Sequence, residues 1–142
     1  EQIMETYGDL PRSRSLVGRL IEARQSGQLT STSQLVMAIG SHSPKLLAPI
    51  FQALRIAVNN ELQALEDGLD QALSLVAPHG RIVVISYHSG EDRLTKHRLK
   101  RAVVAGLGQL ITPHPLIPSS AEQRLNPRSR SAKLRAFERI ES

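Results

Sequence analysis

Apolar and polar positions follow a helical period through the first half of the chain. Residues 10–26 set Leu10, Val17, Leu20, Ile21 and Ala23 against Arg12, Arg14, Arg19 and Arg24, which predicts an amphipathic helix stopped at Gly27. Ser31 and Gln34 have capping-box spacing, and Leu35, Val36 and Ile39 predict a short second helix ending near Gly40. Together they read as a small, basic α-hairpin. After the turn at 41–44, a stripe of Ile50, Phe51, Leu54, Val58, Leu62, Leu65, Leu69, Leu73 and Val76 predicts one long helix from about Pro49 to Val76. Pro78, His79 and Gly80 break it.

The pattern then changes. Residues 81–87, Arg-Ile-Val-Val-Ile-Ser-Tyr, form a continuous apolar run, as expected for a strand buried on both faces of an α/β sheet. A basic helix is predicted over 91–105, ended by Gly106 and Gly108. Residues 110–112 and 116–117 suggest a weak strand interrupted by proline, and 119–125 one or two helical turns. Over 131–140, Ala132, Leu134 and Ala136 alternate with Lys133 and Arg135, a strand pattern with helix as the alternative. One strong strand and two weak ones make a thin sheet. The strong strand calls for neighbours that the sequence does not obviously supply, so part of the sheet is expected to lie outside this chain.

Composition narrows the chemistry. In 142 residues there is no cysteine, which excludes disulfides, thiolate catalysis and thiolate metal sites, and fits a cytoplasmic location. No apolar run reaches bilayer-spanning length, so no membrane association is expected. The chain begins with Glu1 and shows no signal-peptide pattern, and it is expected to be part of something longer. A formal charge of +5 points to a polyanionic partner or simply to a basic surface. With 3% aromatic residues and no Trp, a single-strand binder built on stacking platforms is disfavoured.

Four segments carry candidate chemistry. Ser86-Tyr87-His88-Ser89-Gly90-Glu91-Asp92-Arg93 follows the strong strand, where ligands of open α/β sheets bind. His88, Ser89, Glu91 and Asp92 are candidate catalytic residues there; the competing reading makes Glu91 and Asp92 acidic helix-start residues. No metal site is expected, because three ligand types in one turn do not fix a coordination geometry. Arg93, Lys96 and Lys100 share a helix face that is either a solvated surface or an RNA contact. Asn126, Arg128, Arg130, Lys133 and Arg135 interleave cations with small hydroxyls, suited to phosphate oxygens or to a flexible charged tail. Arg55 and Asn59, one turn apart, either face a substrate or cap a buried edge.

Taken together, these segments resemble MraW-type methyltransferases of small-subunit ribosomal RNA, in their carboxy-terminal part. The strings FQALRIAVNNEL, VISYHSGEDRLTKHRLKRA and NPRSRSAKLRAFERI occur here in the family's order and at suitable spacing. PLIPSSAEQRLNPRSRSAKLR is similar to its final block, and YGDLPRSRSLVGRLIEARQSG with TSTSQL resembles its inserted helical domain. Gly90 stands where the family usually has Leu and is expected to loosen the turn after His88. KLLAP replaces an HPATR-like stretch, and Ser120 stands where Glu is usual.

The resemblance implies an α/β fold: the C-terminal part of a class I, Rossmann-like methyltransferase sheet over 45–142, with part of an inserted helical domain over 1–44. It implies S-adenosylmethionine-dependent methylation of the exocyclic amine of a cytidine. Small-subunit ribosomal RNA or the ribosomal subunit is then the partner, and Arg55, Asn59, Arg93, Lys96, Asn126, Arg128, Arg130, Lys133 and Arg135 are candidate RNA contacts. No glycine-rich loop of the G-x-G type follows a strand, so no cofactor-binding residue is assigned and the chain alone is expected not to bind the donor. An exposed strand edge would also promote self-association. The alternative is a noncatalytic RNA- or ribosome-binding module derived from the same fold.

Overall fold

The computed structural model of the chain describes residues 1–140, which fall into two compact units, Glu1–Glu61 and the residues from Leu62 onward. The first unit is helical: α1 (Gln2–Gly8), α2 (Arg14–Gln25), α3 (Thr32–Ile39) and α4 (Pro44–Asn59). Ser31 accepts the Gln34 amide at the start of α3, and Gly40, at φ 71°, ends it in the left-handed region that glycine tolerates. Arg19 of α2 donates to the carbonyls of Ala38 and Ile39, tying α2 to the end of α3. Met4, Leu16, Ile39, Ile50 and Ala53 form the core. Residues 2–8, without a predicted element, are helical because α1 packs along α4. Gly8 lets it approach closely, since a Cβ there would stand 3.0 Å from the Pro49 carbonyl and 3.2 Å from Ala53 Cβ.

The expected single long helix is two. α4 starts at Pro44, which tolerates the first turn, and ends where Asn60 adopts φ 51°; α5 (Glu61–Leu75) follows. The apolar stripe runs through this break, so periodicity alone gave no sign of it.

The second unit is a mixed α/β arrangement. α5 leads to β1 (Arg81–Ser86), then α6 (Ser89–Val104), β2 (Gly108–Leu110), α7 (Ser120–Leu125), a short 3-10 helix (Pro127–Ser131) and β3 (Lys133–Arg139). The sheet order is β1-β3-β2, with β3 antiparallel to both neighbours. The strand reading of 131–140 is thus the one the structure adopts, and the weak proline-interrupted segment yields β2 plus an isolated bridge from Leu116 to Leu134. Ile82, Phe137 and Leu110 lie in register across the three strands and pack with Leu73 of α5 and Leu99 and Ala102 of α6. Phe137 is fully buried.

One expectation is overturned here. β1 is buried on one face only: Val83 is 56% and Ile85 53% exposed. β3 pairs with one of its edges, and no strand among the described residues pairs with the other. α5 and α6 pack on the Ile82 face, and on the opposite face Ala136 of β3 is buried while Val83 and Ile85 are exposed.

Candidate functional site

The C-terminal end of β1 runs straight into the start of α6, and a capping box makes the joint. His88 is the N-cap: its Nδ1 accepts the Glu91 amide at 3.3 Å, while Glu91 Oε2 accepts the amides of Tyr87 at 2.8 Å and of His88 at 3.3 Å. Gly90 fits this arrangement, because a Cβ there would lie 3.2 Å from both Nδ1 and Cε1 of His88. The turn is thus closed over the imidazole rather than loosened, and a side chain at position 90 would require the ring to shift by a few tenths of an ångström. The His88 side chain is 10% exposed, and its Nε2 makes no hydrogen bond among the described residues although Glu91 Oε1 lies 3.3 Å away, off the line of a bond. With Nδ1 accepting, the neutral ring carries its proton on Nε2, which is left as an unspent donor at the lip of the sheet.

Asp92 turns the other way. It is 9% exposed and lies under the sheet, where Arg135 Nε donates to Oδ1 at 2.7 Å and Lys133 Nζ to Oδ2 at 3.2 Å. Burial by itself would raise the carboxyl pKa, but the hydrogen bonds from Arg135 and Lys133 and the charge of both outweigh it and hold the group below its ordinary value. Of the four candidate catalytic residues, the structure therefore brings His88, Ser89 and Glu91 together at the lip and sends Asp92 into an ion pair that fastens α6 to β3. His88, Glu91 and Asp92 do not converge on one point. Among the described residues, no group of three or more His, Asp or Glu is placed to hold a metal ion.

The candidate RNA contacts divide in the same way. Arg93 and Lys96 are exposed on α6, and Arg128 and Arg130 are exposed on the 3-10 helix. Asn126 caps that helix, its Oδ1 accepting the Arg128 amide at 3.3 Å. Arg135, at 7% exposure and paired with Asp92, has no surface to offer a phosphate, and Lys133 shares that pairing. Arg55 and Asn59 do project together, but onto Glu61: Arg55 makes a two-pronged contact at 2.8 and 3.1 Å, and Asn59 bonds Oε1 at 3.2 Å. They brace the α4–α5 joint. Glu61 escaped the sequence reading because its acidic role depends on the unforeseen break at Asn60. Thr112, whose Oγ1 accepts the Ala136 amide at 2.8 Å and extends the sheet beyond β2, carried no sequence signal.

No helix among the described residues is long and apolar enough to cross a membrane. The turn after β1 is filled by an imidazole and a cap, and no glycine-rich turn follows any described strand.

The profile of the MraW methylase family matches residues 1–140. The ribosomal RNA small subunit methyltransferase H of Deinococcus deserti is 44% identical over 144 residues, covering 97% of this chain and 47% of that protein. Those of Leptospira borgpetersenii and Thermomicrobium roseum are 40% and 41% identical, covering 99% and 94% of this chain and 47% and 48% of theirs. The chain thus spans about half the length of the curated relatives it matches. On a match that runs from its first residue to Ile140, the chain belongs to the MraW methylase family.

Proposed function

We propose that the chain is the carboxy-terminal part of a class I, Rossmann-like methyltransferase that acts in the cytoplasm on small-subunit ribosomal RNA. The reaction is S-adenosylmethionine-dependent methylation of the exocyclic amine of a cytidine. The observation that carries this reading is the capped lip at His88–Glu91, standing beside a sheet margin that this chain leaves open. A cleft outside the carboxyl end of β1 has one wall here and needs the other half of the fold for the rest. The donor belongs to that other half, so no step through it is assigned to these residues.

On this reading His88 Nε2, a donor held at the lip, reads an acceptor on the Watson–Crick edge of the unstacked base, O2 or N3 of cytosine. It is not the group that takes the amine proton. Glu91 positions His88 through the capping box, and Ser89 lies next to both. Asp92 acts at a distance, as the anchor of α6. Arg93, Lys96, Arg128 and Arg130 remain as contacts to the RNA backbone.

Calorimetry with S-adenosylmethionine tests this. The chain alone gives no binding isotherm, whereas a parent protein of the length of its relatives binds and methylates small ribosomal subunits. Tight binding of the donor by this chain would overturn the division of labour.

A second reading, a noncatalytic RNA-binding module, draws on the exposed Lys96, Arg128 and Arg130, whose side chains make no hydrogen bond or ion pair among the described residues. It requires salt-sensitive RNA binding by a parent protein that never binds the donor.

A further inference from the structure

A cleft of about 530 Å³ opens in the second unit, lined by residues of α5, of the C-terminal half of α6 and of β3. Its α6 residues, Arg98, Arg101 and Ala102, lie about 15–21 Å along the helix from His88, so the cleft is separate from the lip. Leu73, Ala102, Ala105 and Leu107 give it an apolar floor, and Arg98, Arg101 and Arg139 surround that floor with guanidinium groups.

The charges are unequally spent. Arg98 is neutralised by Asp70 and Glu66. Arg139 gives Nη1 to the Leu73 carbonyl at 2.8 Å and has no other side-chain partner among the described residues. Arg101 is exposed and makes no hydrogen bond or ion pair there. Two guanidinium forks with donors to spare thus border a shallow apolar surface, and the one carboxylate in the lining is already taken.

We propose that this cleft is a second RNA-contact site, taking a backbone phosphate between Arg101 and Arg139 with the adjoining ribose on the Ala102–Ala105–Leu107 floor. Guanidinium donors match phosphate oxygens in geometry and charge. The floor holds no aromatic ring and no side-chain amide, so it has neither a stacking platform nor a pattern for reading base edges. The site therefore grips the strand without base preference and fixes its path across the protein. It lies apart from the lip, and its success or failure is independent of donor binding.

The competing account is that Arg101 and Arg139 only complement the C-terminal ends of α6 and α5. Amide NMR of the chain, titrated with a short oligouridylate and separately with uridine monophosphate, decides between them. The expected result is shifts at Arg101, Ala102, Ala105 and Leu107, with the oligomer binding more tightly and losing affinity as salt rises. Arg101→Glu and Ala105→Glu change exposed residues and leave the rest of the spectrum in place. Each should weaken oligomer binding by about tenfold, as expected for loss of a charge-assisted contact. Absence of shifts in the cleft, unchanged affinity in both variants, or a mononucleotide bound as tightly as the oligomer would each overturn the proposal.

Discussion

Asp92 shows how one side chain can decide the attachment of a helix. Its carboxylate faces two cations from β3, and Arg135 would be a buried charge without it. Removing one partner of such a pair costs about 3–5 kcal/mol, because the remaining ion stays desolvated. Asp92→Asn should lower the stability of the second unit by that order in urea titration, and a loss within ~1 kcal/mol would show that the ion pair contributes little. The pH dependence has a definite sign. The folded carboxyl titrates below its unfolded value, so its contribution is complete above about pH 4 and is lost as pH falls through the folded pKa. Glu138, held low first by its hydrogen bond from Arg81, works in the same direction. The wild-type chain should therefore lose stability more steeply than Asp92→Asn on acidification below pH 4. Gly108 is a second decisive position: a Cβ there would collide with the Glu138 carbonyl and the Phe137 ring. Gly108→Ala should cost about 1–3 kcal/mol, read as a lower urea midpoint.

Among the elements, those with a closed local signal could be read from the sequence. The start of α3 at Ser31, its end at Gly40 and the strand at Arg81–Ser86 agree with the structure to within a residue or so. Other features depend on partners that local pattern does not encode. The apolar stripe through Val58 and Leu62 hides the left-handed Asn60, since one αL residue interrupts a helix without disturbing the order of apolar positions. The alternation in β3 gives the strand but not that residues of both its faces, Arg135 and Phe137 on one and Ala136 on the other, are buried. Phe137 sets the face packed on α5 and α6, so Lys133 and Arg135 go with it while half-buried Leu134 and buried Ala136 lie on the other, and Asp92, 43 residues from Arg135 in sequence, makes that tolerable. For the same reason the lip was legible as a segment but not residue by residue: adjacent His88, Ser89, Glu91 and Asp92 look equivalent in sequence, and the helix turns Asp92 inward.

For the whole molecule, the edge of β1 that no strand among the described residues pairs with carries a prediction. An unpaired strand edge beside exposed Val83 and Ile85 is a template for another strand. We expect this chain alone to self-associate at micromolar concentration, and Ile85→Lys, at an already exposed position, to shift light-scattering mass toward the monomer with an unchanged helical circular dichroism signal. A monomer at all concentrations for the unmodified chain would mean that the open margin is not adhesive. In a parent protein of the relatives' length the same surface is expected to be covered, and the substitution should then destabilise.

The position of β3 has a temporal consequence. The middle strand of the sheet is the last of the three to be synthesised, and Arg81 meets Glu138 only 57 residues further along the chain. During translation β1 and β2 are present with a gap between them, and Phe137 is not yet there to fill the core. Folding of this unit must wait until residues near Arg139 have left the ribosomal exit tunnel. Force-profile measurements on stalled nascent chains should show a single late folding event at that length. An event before β3 emerges would mean that the helices organise the unit without their central strand.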